Sequence, residues 1–172
     1  LNDPTSISDN WINSLFQDRQ GYLWVGTNEG LNRYDPVTGR FTRFLNDPNN
    51  PESLISNTVQ VVFEDSRGIL WVGTSEGLDR FSPARNGFIH YYTETFLPPA
   101  ISSNDITSIH EDASGSLWIG TNGGGLNRYI RNMDGFLSYT HDNANRNSII
   151  SNNINAIVSD HNGMLWLATN RG

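Results

Sequence analysis

Apolar and bulky residues occur along this chain in runs of about four to six, each closed by a turn rich in Gly, Pro, Asn or Asp. No window sustains apolar positions at helical spacing between caps, so the pattern predicts strands and almost no helix. Ile12, Leu15 and Phe16 lead into the turn Asp18-Arg19-Gln20-Gly21, and Leu23 to Thr27 form the next run. Asn28-Glu29-Gly30 turns the chain again, Leu31 to Tyr34 follow, a turn with Pro and Gly spans 35–39, and Phe41 to Phe44 close the series. An Asp that bonds its own nearby backbone and a Gly that accepts positive φ make a short hairpin with a bulge. Four antiparallel strands are therefore expected. The order returns with Leu78–Phe81 then Phe88–Tyr91, and with Leu126–Tyr129 then Phe136–Tyr139.

The segment from Asp18 to Thr27 recurs from Asp65, Asp112 and Asp160, each time with Gly three residues after the Asp and Trp six after it. The spacing from Trp24 to Trp71 and from Trp71 to Trp118 is 47 residues, and from Trp118 to Trp166 it is 48. The extra residue falls where Asn122-Gly123-Gly124-Gly125 stands against Asn28-Glu29-Gly30 and Ser75-Glu76-Gly77, which marks a loop tip. Such a period means a repeat architecture. Four strands in about 47 residues match one β-propeller blade, so the fold class is all-β, a β-propeller fragment of about 3.5 four-stranded antiparallel blades. The units run roughly 8–54, 55–101, 102–149 and, incomplete, 150–172. Trp24, Trp71, Trp118 and Trp166 are then packing residues between blades, each contributing roughly 4–6 kcal/mol gross when buried.

Composition narrows the function. With 16 Gly, 7 Pro and 36% hydrophobic residues in 172, the chain suits one loop-rich all-β domain. Its charge of −7 argues against a nucleic-acid partner and against capture by an anionic membrane. The absence of Cys excludes a disulfide frame and a thiolate metal site, and no apolar run approaches spanning length. Leu1 opens the chain without Met or a signal-like segment, so a longer parent is expected. An open arc would leave a Trp-bearing face uncovered, and its expected partners are the remaining blades of the same ring or a second copy of the fragment.

The repeat of Asn, two apolar positions, Asp, Gly, Leu-Trp-Val/Ile-Gly-Thr, Gly-Leu, Arg and an aromatic, joined by Ser- and Asn-bearing links, resembles the two-component regulator propeller repeat. It spans Asn10–Arg33, Asn57–Arg80, Asn104–Arg128 and Asn152–Thr169, essentially the whole chain. Ala100 in place of the link Ser and Ala168 in place of the Gly after Trp166 are small departures. The resemblance implies a ring of about seven blades and a place in the periplasmic sensor region of a bacterial membrane signalling protein, such as a hybrid histidine kinase or diguanylate cyclase. It also implies a sensing role, with carbohydrates among the ligands of some relatives. Neither a catalytic role nor a cofactor is called for in this segment. Competing readings are a propeller enzyme of the lyase or glycosidase class, and a spacer that transmits dimer geometry.

Candidate chemistry divides into scaffold and rim. Asp18, Asp65, Asp112 and Asp160 occupy the same turn in every copy and read as turn-forming carboxylates. Arg33, Arg80 and Arg128 recur likewise and suit a hydrogen bond or salt bridge between blades. His90, His110, His141 and His161 show no metal-ligand spacing, and no metal is expected. His110 is set against Gln17 and Glu64 of the other copies, beside the turn Asp. The Asn-rich stretch 46–50 lacks an EF-hand frame and reads as a solvated link. Because the repeated positions belong to the blade itself, recognition is expected where copies differ. Chain direction puts the link between units and the turn between second and third strands at one rim. That rim gives Trp11, Glu29, Glu76, Asn122 and the loop around Phe96 as candidate ligand contacts. Trp11 stands where the other copies have Thr58, Asp105 and Asn153, and it suits packing against a preceding blade as well as stacking on a sugar.

Overall fold

The structure is a computed structural model that describes residues 3–93 and 100–172. Phe96 lies outside the described residues. Among these residues fourteen strands form and no helix. In chain order, β1 (Ile12–Gln17), β2 (Leu23–Thr27), β3 (Gly30–Asp35) and β4 (Arg40–Phe44) make one four-stranded sheet. A second comprises β5 (Val59–Glu64), β6 (Leu70–Thr74), β7 (Leu78–Ser82) and β8 (Gly87–Tyr91). A third comprises β9 (Ile106–Glu111), β10 (Leu117–Thr121), β11 (Gly125–Ile130) and β12 (Gly135–Tyr139). β13 (Ile154–Ser159) and β14 (Leu165–Thr169) pair as a two-stranded sheet. Strand neighbours are sequence neighbours throughout, which is the up-and-down order that short turns allow.

The chain divides into two compact units, Leu1–His90 and Tyr91–Gly172. In the first unit the core lies between two sheets. Trp24, Leu31, Leu54, Val59, Val62, Leu70, Val72 and Phe88 are buried together, with Phe16, Phe44 and Phe81 packed against them. Phe81 meets Trp24 at a centroid distance of 6.1 Å, and Phe44 meets Phe88 edge-on at 5.9 Å. The sheets approach so closely that a Cβ on Gly26 would come within 2.7 Å of Val59 Cγ1. In the second unit a Cβ on Gly120 would meet Ile154 Cγ2 at 2.8 Å. The recurring Gly of Leu-Trp-x-Gly-Thr is thus demanded by crowding from the neighbouring sheet and, at Gly120, from the Ser108 side chain of its own sheet, rather than by its backbone conformation. Ala168, the departure in the fourth copy, is exposed.

Each first strand carries an irregularity near its start, between Ile12 and Ser14, Val59 and Val61, Ile106 and Ser108, and Ile154 and Ala156. Such a bulge re-aims a side chain. Asn13 uses it to donate from Nδ2 to Val59 O of the next sheet at 3.0 Å, and the Thr107 hydroxyl likewise donates to Ile154 O.

Candidate functional site

The repeated Asp is the organising atom set of each first hairpin. Asp18 Oδ1 accepts the backbone N–H of Gln20 and Tyr22 at 3.0 and 2.9 Å, while Oδ2 accepts Trp24 Nε1–H at 2.8 Å. Asp65 does the same with Arg67, Ile69 and Trp71, Asp112 with Ser114, Ser116 and Trp118, and Asp160 with Asn162, Met164 and Trp166. The fourth residue of each turn is Gly at positive φ, as at Gly68 with φ 77°. Hydrogen bonds from Trp166 and the backbone of Met164 and Asn162 hold the Asp160 carboxyl below the usual range. Burial works against ionisation of Asp112, but bonds from Ser114, Trp118 and Ser116 outweigh it and its carboxyl is also lowered.

The repeated Arg lies directly across the ladder from the repeated Trp: Trp24 faces Arg33, Trp71 faces Arg80 and Trp118 faces Arg128. Each guanidinium carbon sits 5.6 to 5.9 Å from the centre of its own sheet's indole ring. The contact given by the structure is therefore a cation–π stack within one sheet. Arg33 adds Tyr22 at 4.8 Å. Arg19 also reaches the neighbouring sheet, donating to Ser66 O at 2.8 Å and Asp65 O at 3.2 Å.

The other rim is pinned by threonine. Thr27 Oγ1 donates to Gly30 O at 2.8 Å and accepts the N–H of Glu29 at 3.1 Å, and Thr74 serves Gly77 and Glu76 identically. Thr121 bonds Gly125 O, so the inserted Gly enlarges the loop without loosening its closure. Link and turn meet here, as Gly30 N–H donates to Asn57 O in the first unit and Gly125 N–H to Asn152 O in the second. Glu29 and Glu76 point from pinned turns as exposed side chains, and Trp11, just ahead of β1, is 68% exposed. Asn122 is held by its Nδ2 donation to Asp105 Oδ2 at 2.9 Å.

The links, unlike in sequence, share a fold in two cases. Asp47 Oδ1 accepts Asn49 N–H, Asn50 Oδ1 accepts Glu52 N–H, and the Ser53 hydroxyl bridges Asp47 N–H and Asp47 O. Asp142, Asn145 and Ser148 repeat every one of these bonds. The common spacing, Asp then Asn three on and Ser three further, was present in the sequence and is the signal that could have found it.

The cavities lined by described residues include the following two. One of about 120 Å³ lies at the Asp-turn rim of the first unit, beside Asp18, Trp24, Arg33, Glu64 and Phe81. The other, about 330 Å³, lies along the 141–150 link. Trp11, Glu29, Glu76 and Asn122 line neither. Among the described residues no three His, Cys, Asp or Glu side chains gather for a metal. The described contacts of three histidines are structural: His90 meets Asp79 and Pro51, His110 meets Ser159 at 2.9 Å, and His141 donates to Ile149 O. The ladder also corrects the alignment of His110. It faces Trp118 where Phe16 faces Trp24 and Phe63 faces Trp71, so it replaces those aromatics, and Glu111 is the residue matching Gln17 and Glu64.

Repeated four-stranded meanders, interlocked through Trp and Gly and edged by unlike loops, define a β-propeller fragment. The chain belongs to the two component regulator propeller family, whose model matches residues 6–29, 53–76, 100–123 and 148–171. Among solved structures it resembles the extracellular domain of BT4673 from B. thetaiotaomicron, ascribed to a hybrid two-component system. The identity is 29% and the TM-score 0.76, over 96% of this chain and 21% of that one. The extracellular domain of BT3049 from the same organism, also ascribed to a hybrid two-component system, gives 30%, 0.73, and the same coverage. This chain therefore spans about a fifth of the length of those relatives. A streptogramin B lyase is 19% identical at a TM-score of 0.64, which shows a shared fold. No curated protein matches the chain.

Proposed function

We propose that this segment is a non-catalytic part of the extracytoplasmic, periplasmic sensor region of a bacterial two-component-type receptor, and that ligand contact falls on the rim of links and Thr-pinned turns. The observation that carries the reading is the division of labour between rims. At one, the repeated Asp, Trp and Gly are consumed by the same bonds in every copy; at the other, the equivalent backbones of the 47–53 and 142–148 links carry different side chains between their anchors, and the third turn has Gly123 and Gly124 against Glu29 and Glu76. Family membership and the extracellular domains it resembles support the setting. A small polar ligand such as a carbohydrate suits Trp11, Glu29 and Glu76 of the first unit, since an aromatic face and a few polar groups are what saccharide sites use, and Asn122 is the corresponding candidate of the second. The repeat units 8–54, 55–101, 102–149 and 150–172 would be consecutive blades of a ring completed by further blades.

The test is calorimetric titration of the intact sensor region with a panel of neutral and acidic saccharides. Trp11→Ala and Glu76→Gln should weaken the binding of any hit about tenfold or more, as Asp65→Ala refolded controls report on scaffold damage. A hit whose affinity is unmoved by either rim variant would place recognition elsewhere. Turnover of any panel member would reverse the non-catalytic assignment.

A further inference from the structure

One position of the third strand differs between repeats in a way that changes its chemistry. Asn32 and Asn127 are fully buried and do one job in two directions. The side-chain oxygen of Asn32 accepts Ser8 N–H at 2.9 Å, while its Nδ2 donates to Ser8 Oγ at 2.8 Å. Asn127 makes the same two bonds with Ser102, at 3.1 and 2.8 Å. The second repeat has Ile55 where the others have Ser8 and Ser102, so the hydroxyl that would accept from an amide is missing. It has Asp79 in place of Asn, equally buried, and Asp79 Oδ2 accepts Ile55 N–H at 3.0 Å. The other oxygen meets His90 Nδ1 at 2.5 Å, and His90 Nε2 meets Pro51 O at 2.8 Å.

Both ring nitrogens of His90 therefore face oxygen atoms. Pro51 O is a carbonyl and can only accept, so Nε2 carries a proton. Against an ionised Asp79, Nδ1 must carry one too; otherwise the carboxyl itself must hold the proton and donate it to Nδ1. Either arrangement contains one proton more than a neutral imidazole beside a carboxylate. Removing it sets lone pair against lone pair in a buried place and breaks one of the two bonds.

We propose that Asp79 and His90 form a proton-dependent clasp that fastens the 46–57 link onto the second sheet. The clasp joins β7 and β8 to the link at two points, Ile55 near its end and Pro51 at its middle. Among the described residues the charges that act on it are its own two members. The nearby pair Arg85 and Glu52, 3.5 Å apart, is exposed, and Glu52 contributes its carbonyl to Phe88 N–H. The bond to Asp79 raises the His90 ring above its ordinary 6.5, and burial raises the Asp79 carboxyl, so both directions favour the protonated clasp. A raised folded value means that its contribution to stability is complete below pH 6.5 and is lost as pH rises through the folded value.

The experiment is an NMR titration of the four His rings in the 172-residue chain, paired with urea unfolding across the same pH range, for the wild type and Asp79→Asn. In the variant the new amide donates to an unprotonated Nδ1 while Nε2–H keeps Pro51, so the link stays fastened by a neutral ring. In the wild type the His90 ring should titrate above 6.5, and the folding constant should fall by up to about tenfold per pH unit between 6.5 and the folded value. Asp79→Asn should remove that slope and keep a cooperative transition, as expected for the residue that the first and third repeats already hold. A His90 ring titrating at or below 6.5, or equal slopes in the two proteins, overturns the clasp. The wild-type titration decides alone if the variant fails to fold. Because it reads protons and stability, failure here leaves the ligand-rim reading untouched.

Discussion

A single carboxylate in each first hairpin does two unrelated jobs, closing the turn with one oxygen and orienting an indole with the other. That is why spacing between Asp and Trp never varies while the residues between Asp and Gly do. For Asp65, which is fully buried, replacement by Ala strands two backbone N–H groups and the Trp71 indole N–H. The expected loss is about 2–4 kcal/mol, read as a lower urea midpoint at unchanged m-value. Acid should expose the same chemistry. The carboxyls of Asp112 and Asp160 are lowered from 3.8, so their contribution is present above that value and fades as pH falls through the folded values. Unfolding followed down from about pH 5 to pH 2 should show it, and Asp112→Asn should flatten that limb. A turn-bonding Asp was legible from its place in every copy. The bond to the indole is signalled in the sequence only by the fixed separation of six residues, because it depends on how a strand twists after its hairpin. The Arg over its cross-strand Trp was equally hidden, since partners across a ladder are set by register.

At the scale of the sheet, the same sequence element has different worth in different copies. Trp71 is fully buried, and Trp24 is 3% exposed beneath Phe44 and Phe81. Trp166 is 59% exposed and lies opposite Val158, itself 55% exposed. Trp71→Ala should cost about 3–5 kcal/mol in denaturant unfolding, and Trp166→Ala well under half of that in this chain. Gly120→Val should rival Trp71→Ala, since the added side chain must displace both the Ser108 hydroxyl and Ile154 of the adjacent sheet. The order and turn chemistry of the strands were readable because each hairpin is local. The bulges at Asn13 and Thr107 were not, because nothing in a strand's own pattern says which residue must reach sideways to a carbonyl of the next sheet.

For the molecule, the outward face of β13 and β14 is the feature with consequences in solution. Val158, Trp166 and Met164 are each more than half exposed, an apolar patch of the kind that soluble proteins cover. The isolated chain should self-associate, and Trp166→Glu should reduce the association. Sedimentation equilibrium showing a folded monomer at all concentrations would count against it. The repeat architecture was readable from period alone, whereas the Asp79–His90 clasp became visible only when Ile55 and Pro51 were placed around it.

The two links tied by Asp47, Asn50 and Ser53 and by Asp142, Asn145 and Ser148 carry one further implication. Their three anchoring side chains close the loop chiefly through its own backbone, Asp47 also accepting the Asn49 side-chain amide. The four residues between the anchors differ completely while the path of the chain is kept. Pro48, Asn49, Pro51 and Glu52 in one link are Asn143, Ala144, Arg146 and Asn147 in the other. Such a loop behaves as an interchangeable cassette: new specificities can be written into it by drift or by a library, with the frame already guaranteed.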